Sequence, residues 1–168
     1  MWCVYFDASA LVKRYTNEPG TNLVNELFSR LPIEKMYCST MGLPEVVSIL
    51  VRQRNDGRLL PKFFHRAMTA FRTEVIVSSR FQKSSVDDEP ILSALSFIEK
   101  HNLNSVDTII LRAALDLQQE LLLTNNDLML WTSDKRLARA ATTEGLKTFD
   151  PEIEFLATLE ALFPNTTT

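Results

Sequence analysis

No apolar run in the 168 residues approaches the roughly 18–20 needed to cross a bilayer, so no membrane span is expected. The opening Met-Trp-Cys-Val-Tyr-Phe-Asp has neither the basic leader nor the long apolar core of a secretory signal. Cysteine is scarce: Cys3 and Cys38 stand alone in apolar, strand-like stretches. They read as buried free thiols, which suits a reducing cytoplasm. With two histidines, His65 and His101, and no paired Cys/His spacing, the chain lacks the ligands of a zinc site. Internal repeats, linkers and low-complexity segments are also missing, and the net charge of −3 does not mark the whole chain as a nucleic-acid binder.

What remains is ordinary in bulk and informative in pattern. A composition of 45% hydrophobic and 23% charged residues at this length fits one soluble domain with a sizeable core. Strand-like and helix-like stretches alternate, the signature of an α/β fold with a parallel sheet. Strands are expected at 2–6, 36–38, 75–77, 128–132 and 146–149. Between them, helices are expected at about 9–15, up to Arg30, after a cap at Ser39 or Thr40, through Phe63–Phe71, and from the Asp87-Asp88-Glu89-Pro90 start to His101. Ser105 and Ser133 are expected to open two more helices, the second stopped by Gly145. A final amphipathic helix would carry Ile153, Leu156, Leu159 and Phe163, ending in a frayed Thr166-Thr167-Thr168. Residues 1–151 would thus form the main domain and 152–168 a C-terminal helix and tail.

Four carboxylates occupy special places in this pattern. Asp7 follows the run Val4-Tyr5-Phe6, and Asp134 follows Leu128–Thr132. Glu45 and Asp107 sit in the first turns of apolar helices. Singly, each could merely favour a helix N-terminus. Together they point to the carboxyl edge of a parallel sheet, where α/β folds bind ligands. Hard oxygen donors at that density suit Mg²⁺ or Mn²⁺. Asp116, Asp127, Asp150 and the acids at 87–89 lack that placement and read as surface or capping groups. Charge elsewhere is uneven: Arg52 to Lys83 holds eight bases and two acids, a segment of +6. Arg52, Arg54 and Arg58 could track phosphates beside the acids, or could simply form a solvated face.

Four segments then resemble a known family. Val4-Tyr5-Phe6-Asp7-Ala8-Ser9-Ala10-Leu11-Val12-Lys13 is similar to the first motif of PIN-domain ribonucleases, especially the VapC-like toxins. Ser39–Glu45 resembles the second, Leu103-Asn104-Ser105-Val106-Asp107 the third, and Thr132–Leu137 with Ala140-Ala141 and Gly145-Leu146 the fourth. Pro44, Arg112 and Asn125-Asn126 depart from the usual pattern. The resemblance implies a three-layer α/β/α fold and a Mg²⁺- or Mn²⁺-dependent endoribonuclease leaving a 5′-phosphate on single-stranded or looped RNA. Asp7 would be the central metal ligand, completed by Asp107, Asp134 and Glu45. Ser9, Thr132 and Ser133 would orient those acids. Divalent ions make water nucleophilic near neutral pH and clamp phosphate oxygens, a fitting chemistry for motifs without histidine.

The resemblance also implies an antitoxin partner and a homodimer. Leu11, Val12, Leu23, Leu27 and Phe28 beside Tyr15 could supply the dimer patch, or could belong to the core. The competing readings are a stand-alone PIN nuclease, a catalytically silent PIN-like binding module, and a Mg²⁺-dependent phosphotransfer domain of receiver or phosphatase type. The last is disfavoured because Asp7-Ala8-Ser9 offers neither an early acid pair nor Asp-x-Asp.

Overall fold

The computed structural model describes residues 1–85 and 88–164. The helix start expected at Asp87 and the frayed end expected at 166–168 therefore lie outside the described residues. Five strands, β1 (Trp2–Phe6), β2 (Met36–Ser39), β3 (Gln82–Ser84), β4 (Asp127–Trp131) and β5 (Lys147–Phe149), form one parallel sheet in the order β3-β2-β1-β4-β5. Among the described residues eight α-helices surround it: α1 (Ala8–Leu11), α2 (Thr21–Arg30), α3 (Gly42–Asn55), α4 (Pro61–Phe71), α5 (Asp88–His101), α6 (Ser105–Leu122), α7 (Lys135–Thr143) and α8 (Leu156–Leu162).

Side chains alternate across a strand, and the two faces of this sheet build two cores. Val4, Phe6, Met36, Cys38, Met129 and Trp131 pack with α1–α4 and α8 on one face. Cys3, Tyr5, Leu128 and Leu130 pack with α5–α7 on the other. The result is a single-domain α/β/α sandwich. Both cysteines are buried and unpaired by disulfide. Trp131 stacks on Phe149 at 4.2 Å and meets Phe6 edge-on at 5.8 Å, tying β4 to its neighbours.

The strand expected at Val75-Ile76-Val77 is not one. α4 instead runs into a π-helical turn, Arg72–Ile76, in which Val75 is fully buried beside Phe71. The third strand is the polar Gln82-Lys83-Ser84, which pairs only with β2. As an edge strand it needs no apolar signal, and burial overrides the β propensity of the upstream triplet. Three caps also shift. Neither Ser39 nor Thr40 caps α3, which begins after Met41 without a side-chain cap, while the Ser39 Oγ accepts from Met41 N. Asn104 caps α6 in place of Ser105, and Asp134 caps α7 in place of Ser133. Pro44 falls third in α3, where a backbone N–H has no helical acceptor to lose.

The apolar groups of the early helices belong to the core. Leu11, Val12, Leu23 and Leu27 are at most 3% exposed, and Phe28 and Tyr15 pack against the same cluster. They leave no free patch for a second copy. In the C-terminal segment, Leu159 and Phe163 are buried, but Ile153 precedes α8 and is exposed. Gly20, at φ 88°, lies so close to Pro151 that a Cβ would stand 2.6 Å from its carbonyl oxygen, which brings the turn around Pro151 against the start of α2.

Candidate active site at the carboxyl edge of the sheet

Strand order reverses between β1 and β4, so their carboxyl ends frame the crevice where doubly wound sheets open. Phe6 pairs with Trp131, and the residues just beyond them are Asp7 and Thr132. Asp7 caps α1 and Asp134 caps α7; Glu45 and Asp107 lie in the first turns of α3 and α6. All four carboxylates therefore meet helix N-termini, where partial positive charge favours them. All four also line one cleft of about 450 Å³, together with Ser9, Arg52 and Asn104.

A hydrogen-bond network wires one side of the cleft. Asp7 Oδ2 accepts from Ser9 N at 3.2 Å, Ser9 Oγ at 2.5 Å and Thr132 Oγ1 at 3.0 Å. Ser9 Oγ in turn accepts from Ser133 N, and Thr132 Oγ1 accepts from Asp134 N. Asp134 Oδ1 takes the N–H groups of Arg136 and Leu137, opening α7. The Ser133 hydroxyl points elsewhere, donating to Asp150 Oδ1 at 2.8 Å.

The opposite side is less furnished with donors. Asp107 Oδ2 accepts from Asn104 Nδ2 at 2.7 Å, while Asn104 Oδ1 caps the helix through Asp107 N. Burial, followed by repulsion from Asp7, Asp134 and Glu45, pushes the Asp107 carboxyl up to about 7, against a pull from Arg136. Burial and then Asp7 also raise Glu45, against Arg52. These acids feel one another across the cleft, and a cation is what would relieve them. Among the described residues no three acids form a ready-made ligand cage, so metal binding would have to draw side chains inward. The donor set fits a hard divalent ion: oxygen only, concentrated negative charge, and a central carboxylate already oriented by hydroxyls.

The three arginines of the expected phosphate track part company. Arg52 lines the acid cleft. Arg58 lies further along α3's end, paired with Asp56 at 2.8 Å. Arg54 covers the Phe64 ring at 4.6 Å and donates to Asn55, away from the cleft. Sequence reasoning missed Asn104, although an Asn three residues before a first-turn Asp is a cap signal. It also missed Lys13, which is almost wholly buried and paired with Glu152 at 2.6 Å in the hollow next to the cleft. Nothing local marks that ion pair, whose partners lie at opposite ends of the chain. Of the acids set aside, Asp150 receives Ser133 and Glu152 N, Asp127 receives Leu128 N and Gln118, and Asp116 pairs with Arg112.

Among solved structures, the chain resembles FitAcB from Neisseria gonorrhoeae at a TM-score of 0.59 and 17% identity, covering 90% of this chain and 99% of that one. PAE2754 from Pyrobaculum aerophilum matches at 0.58 and 22%, covering 96% and 99%. VapC20 from Mycobacterium tuberculosis, a sarcin-ricin loop cleaving toxin, matches at 0.59 and 15%, covering 82% and 94%. At these identities the likenesses establish the fold. No curated protein sequence matches the chain significantly. The family model described as "PIN domain" matches residues 4–142, across β1, the cleft acids and most of α7. The chain belongs to the PIN domain family.

Proposed function

We propose that this PIN domain is an endoribonuclease that works with Mg²⁺ or Mn²⁺ and serves as the toxin of a toxin–antitoxin pair. The observation that carries the reading is the convergence of Asp7, Glu45, Asp107 and Asp134 on one cleft, with Asp107 pushed up by its neighbours. Mutual repulsion is a cost that a binding cation converts into affinity. When bound, a divalent ion supplies Lewis acidity to water and to phosphate oxygens. The chain supplies the placement. Asp7 is the central ligand, held by Ser9 and Thr132; Asp134 is tied to the same network through Thr132. Asp107 and Glu45 complete the oxygen set, and Asn104 orients Asp107. Arg52, at the rim, meets the phosphate that the acids alone would repel.

RNA as substrate and an antitoxin as partner rest on the motif resemblance, and the likeness to VapC20 is consistent with the first. A homodimer would need a face other than the early helices; Leu92 and Leu95 of α5, 68% and 55% exposed, are apolar groups available for one. The deciding experiment is cleavage of a generic single-stranded RNA with Mg²⁺, without it, and after chelation. Chelator-sensitive cleavage by the wild type, lost in a folded Asp7→Asn variant, supports the nuclease. Cleavage indifferent to chelator, or retained in Asp7→Asn, rejects the four-acid mechanism. Co-expression with a neighbouring reading frame tests the partner: co-purification with suppressed cleavage supports it, and free activity argues for a stand-alone nuclease.

A further inference from the structure

The acid cleft is the near end of a longer trough. A hollow of about 450 Å³ beside it shares Ser9, Ile49, Arg52 and Asp134 as common wall. That hollow shares Glu18, Gln53 and Arg58 with a third, of about 710 Å³, bounded by the loop after α1 and the α3–α4 hairpin. The third is the largest of the three and chemically unlike the cleft. Its cations are Arg14, Arg58 and Arg66, against the single acid Glu18. Arg14 is committed to Glu74 and Asn25, and Arg58 holds a solvent-exposed pair with Asp56 that a phosphate can replace. The side chains of Arg66 and, at the cleft rim, Arg52 have no hydrogen-bond or ion-pair partner among the described residues. Beside Arg66 the wall is apolar yet open: Leu60 is 54% and Phe63 42% exposed. Lys62 covers the Phe63 ring at 4.8 Å, an exposed contact that an arriving ring can replace.

We propose that this third hollow is a nucleotide subsite, holding a base of a single-stranded RNA against Phe63 and Leu60 and the adjoining phosphate at Arg66 and Arg58. It rests on the nuclease reading and extends it away from the reacting phosphate. A polyanion cannot lie along the acids beyond the bond being cut; it has to leave toward positive charge, and the trough leads there past Arg52. Single-strand binding in general combines such a cationic track with an aromatic platform, because every base has a π face and every link a phosphate. The hollow holds both, with the aromatic and Arg66 on α4 and Arg58 in the connection between α3 and α4. Arg54, turned over Phe64, takes no part; Arg66 occupies the role that the linear sequence suggested for it.

The test uses the full chain and a fluorescein-labelled, mixed-sequence RNA of about 12 nucleotides, within the usual single-strand site range. Anisotropy should show that Phe63→Ala and Arg66→Ala each weaken binding, by about 5- to 100-fold for loss of the stacking platform. Arg66→Ala should also reduce the salt slope of log Kd by about 0.7, one single-strand phosphate contact. In cleavage assays both variants should raise KM for the long RNA, leave kcat in place, and cut a dinucleotide as the wild type does. Phe63→Leu, which keeps an apolar group on this exposed position, should lose affinity too, separating the ring from mere hydrophobicity. Unchanged RNA affinity in folded variants overturns the subsite, even if they lose a protein partner, since the hollow would then dock protein. RNA binding that depends on Phe63 and Arg66 with no cleavage in the wild type would sustain the subsite and sink the nuclease reading. Cleavage that ignores both residues would do the reverse.

Discussion

The two sides of the acid cleft are built differently. On the β1–β4 side, Asp7 and Asp134 are tied into one network through Ser9, Thr132 and Ser133, with five donors on their two carboxylates. On the α3–α6 side, the Asp107 carboxylate has one donor among the described residues, Asn104, and Glu45 is raised by burial and by Asp7 with Arg52 in opposition. The first pair is oriented before any ligand arrives. The second is under electrostatic strain and is where a cation would act most. Preorganised ligands give geometry, and a repelling pair gives a binding response; a metal-dependent site benefits from both.

Breaking the wired side should have the largest effect. Asp7→Asn can keep the acceptor for Ser9 and Thr132 but removes the negative charge and one of the two oxygens they orient, and should lower cleavage by several kcal/mol of transition-state stabilisation, on the order of 10³-fold. Circular dichroism should show the fold retained; near-normal turnover in the folded variant would refute the assignment of Asp7. Next come the supports. Thr132→Val should cost about 10- to 100-fold in activity or metal affinity, because it frees both Asp7 Oδ2 and Asp134 N from their link. Ser9→Ala should fall in the same range, and a loss in neither would mean that the network is decorative.

The strained side predicts a pH signature. The Asp107 carboxyl sits at about 7 in the fold, against about 3.9 for an unfolded Asp. Between those values the folded chain holds the extra proton, so stability of the metal-free protein should fall as pH rises from about 4 to about 7, then level off. Thermal melts in chelator should show that decline, and saturating Mg²⁺ should flatten it. Asp107→Asn should lose activity yet melt higher at pH 8 without metal, by about 2–4 °C per kcal/mol of repulsion relieved. A rise in stability across that window would contradict the burial and repulsion at Asp107. Glu45→Gln should show the smallest stability gain, since Glu45 is only partly buried and Arg52 already offsets it.

Local pattern sufficed where chemistry repeats at short range. The apolar runs at β1, β2 and β4, the short strand that ends on Phe149, the helix stripe through Leu23, Val24 and Leu27, and the stop at Gly145 all follow from spacing and propensity. The four acids stood out because each sits next to an element boundary, and boundaries at a parallel sheet's carboxyl edge share one side. The Val75-Ile76-Val77 stretch shows the limit: its β-branched residues say strand, but Val75 is needed in the helical packing around Phe71. β3 shows the converse, a polar edge strand recognisable only by its partner Cys38 and neighbours.

Long-range proximity belongs to the tertiary structure. The sequence by itself determined the α/β class, the strand-helix order and which acids stand ready at helix starts. It could not determine that Leu11, Val12, Leu23 and Leu27 would be consumed by the core, that Lys13 would meet Glu152, or that Arg66 would join Arg58 while Arg54 turned to Phe64. Those outcomes depend on which faces a folded chain presses together. Periodicity reports that a residue faces one side of its own helix; only packing decides whether that side meets the sheet, a neighbouring helix or water.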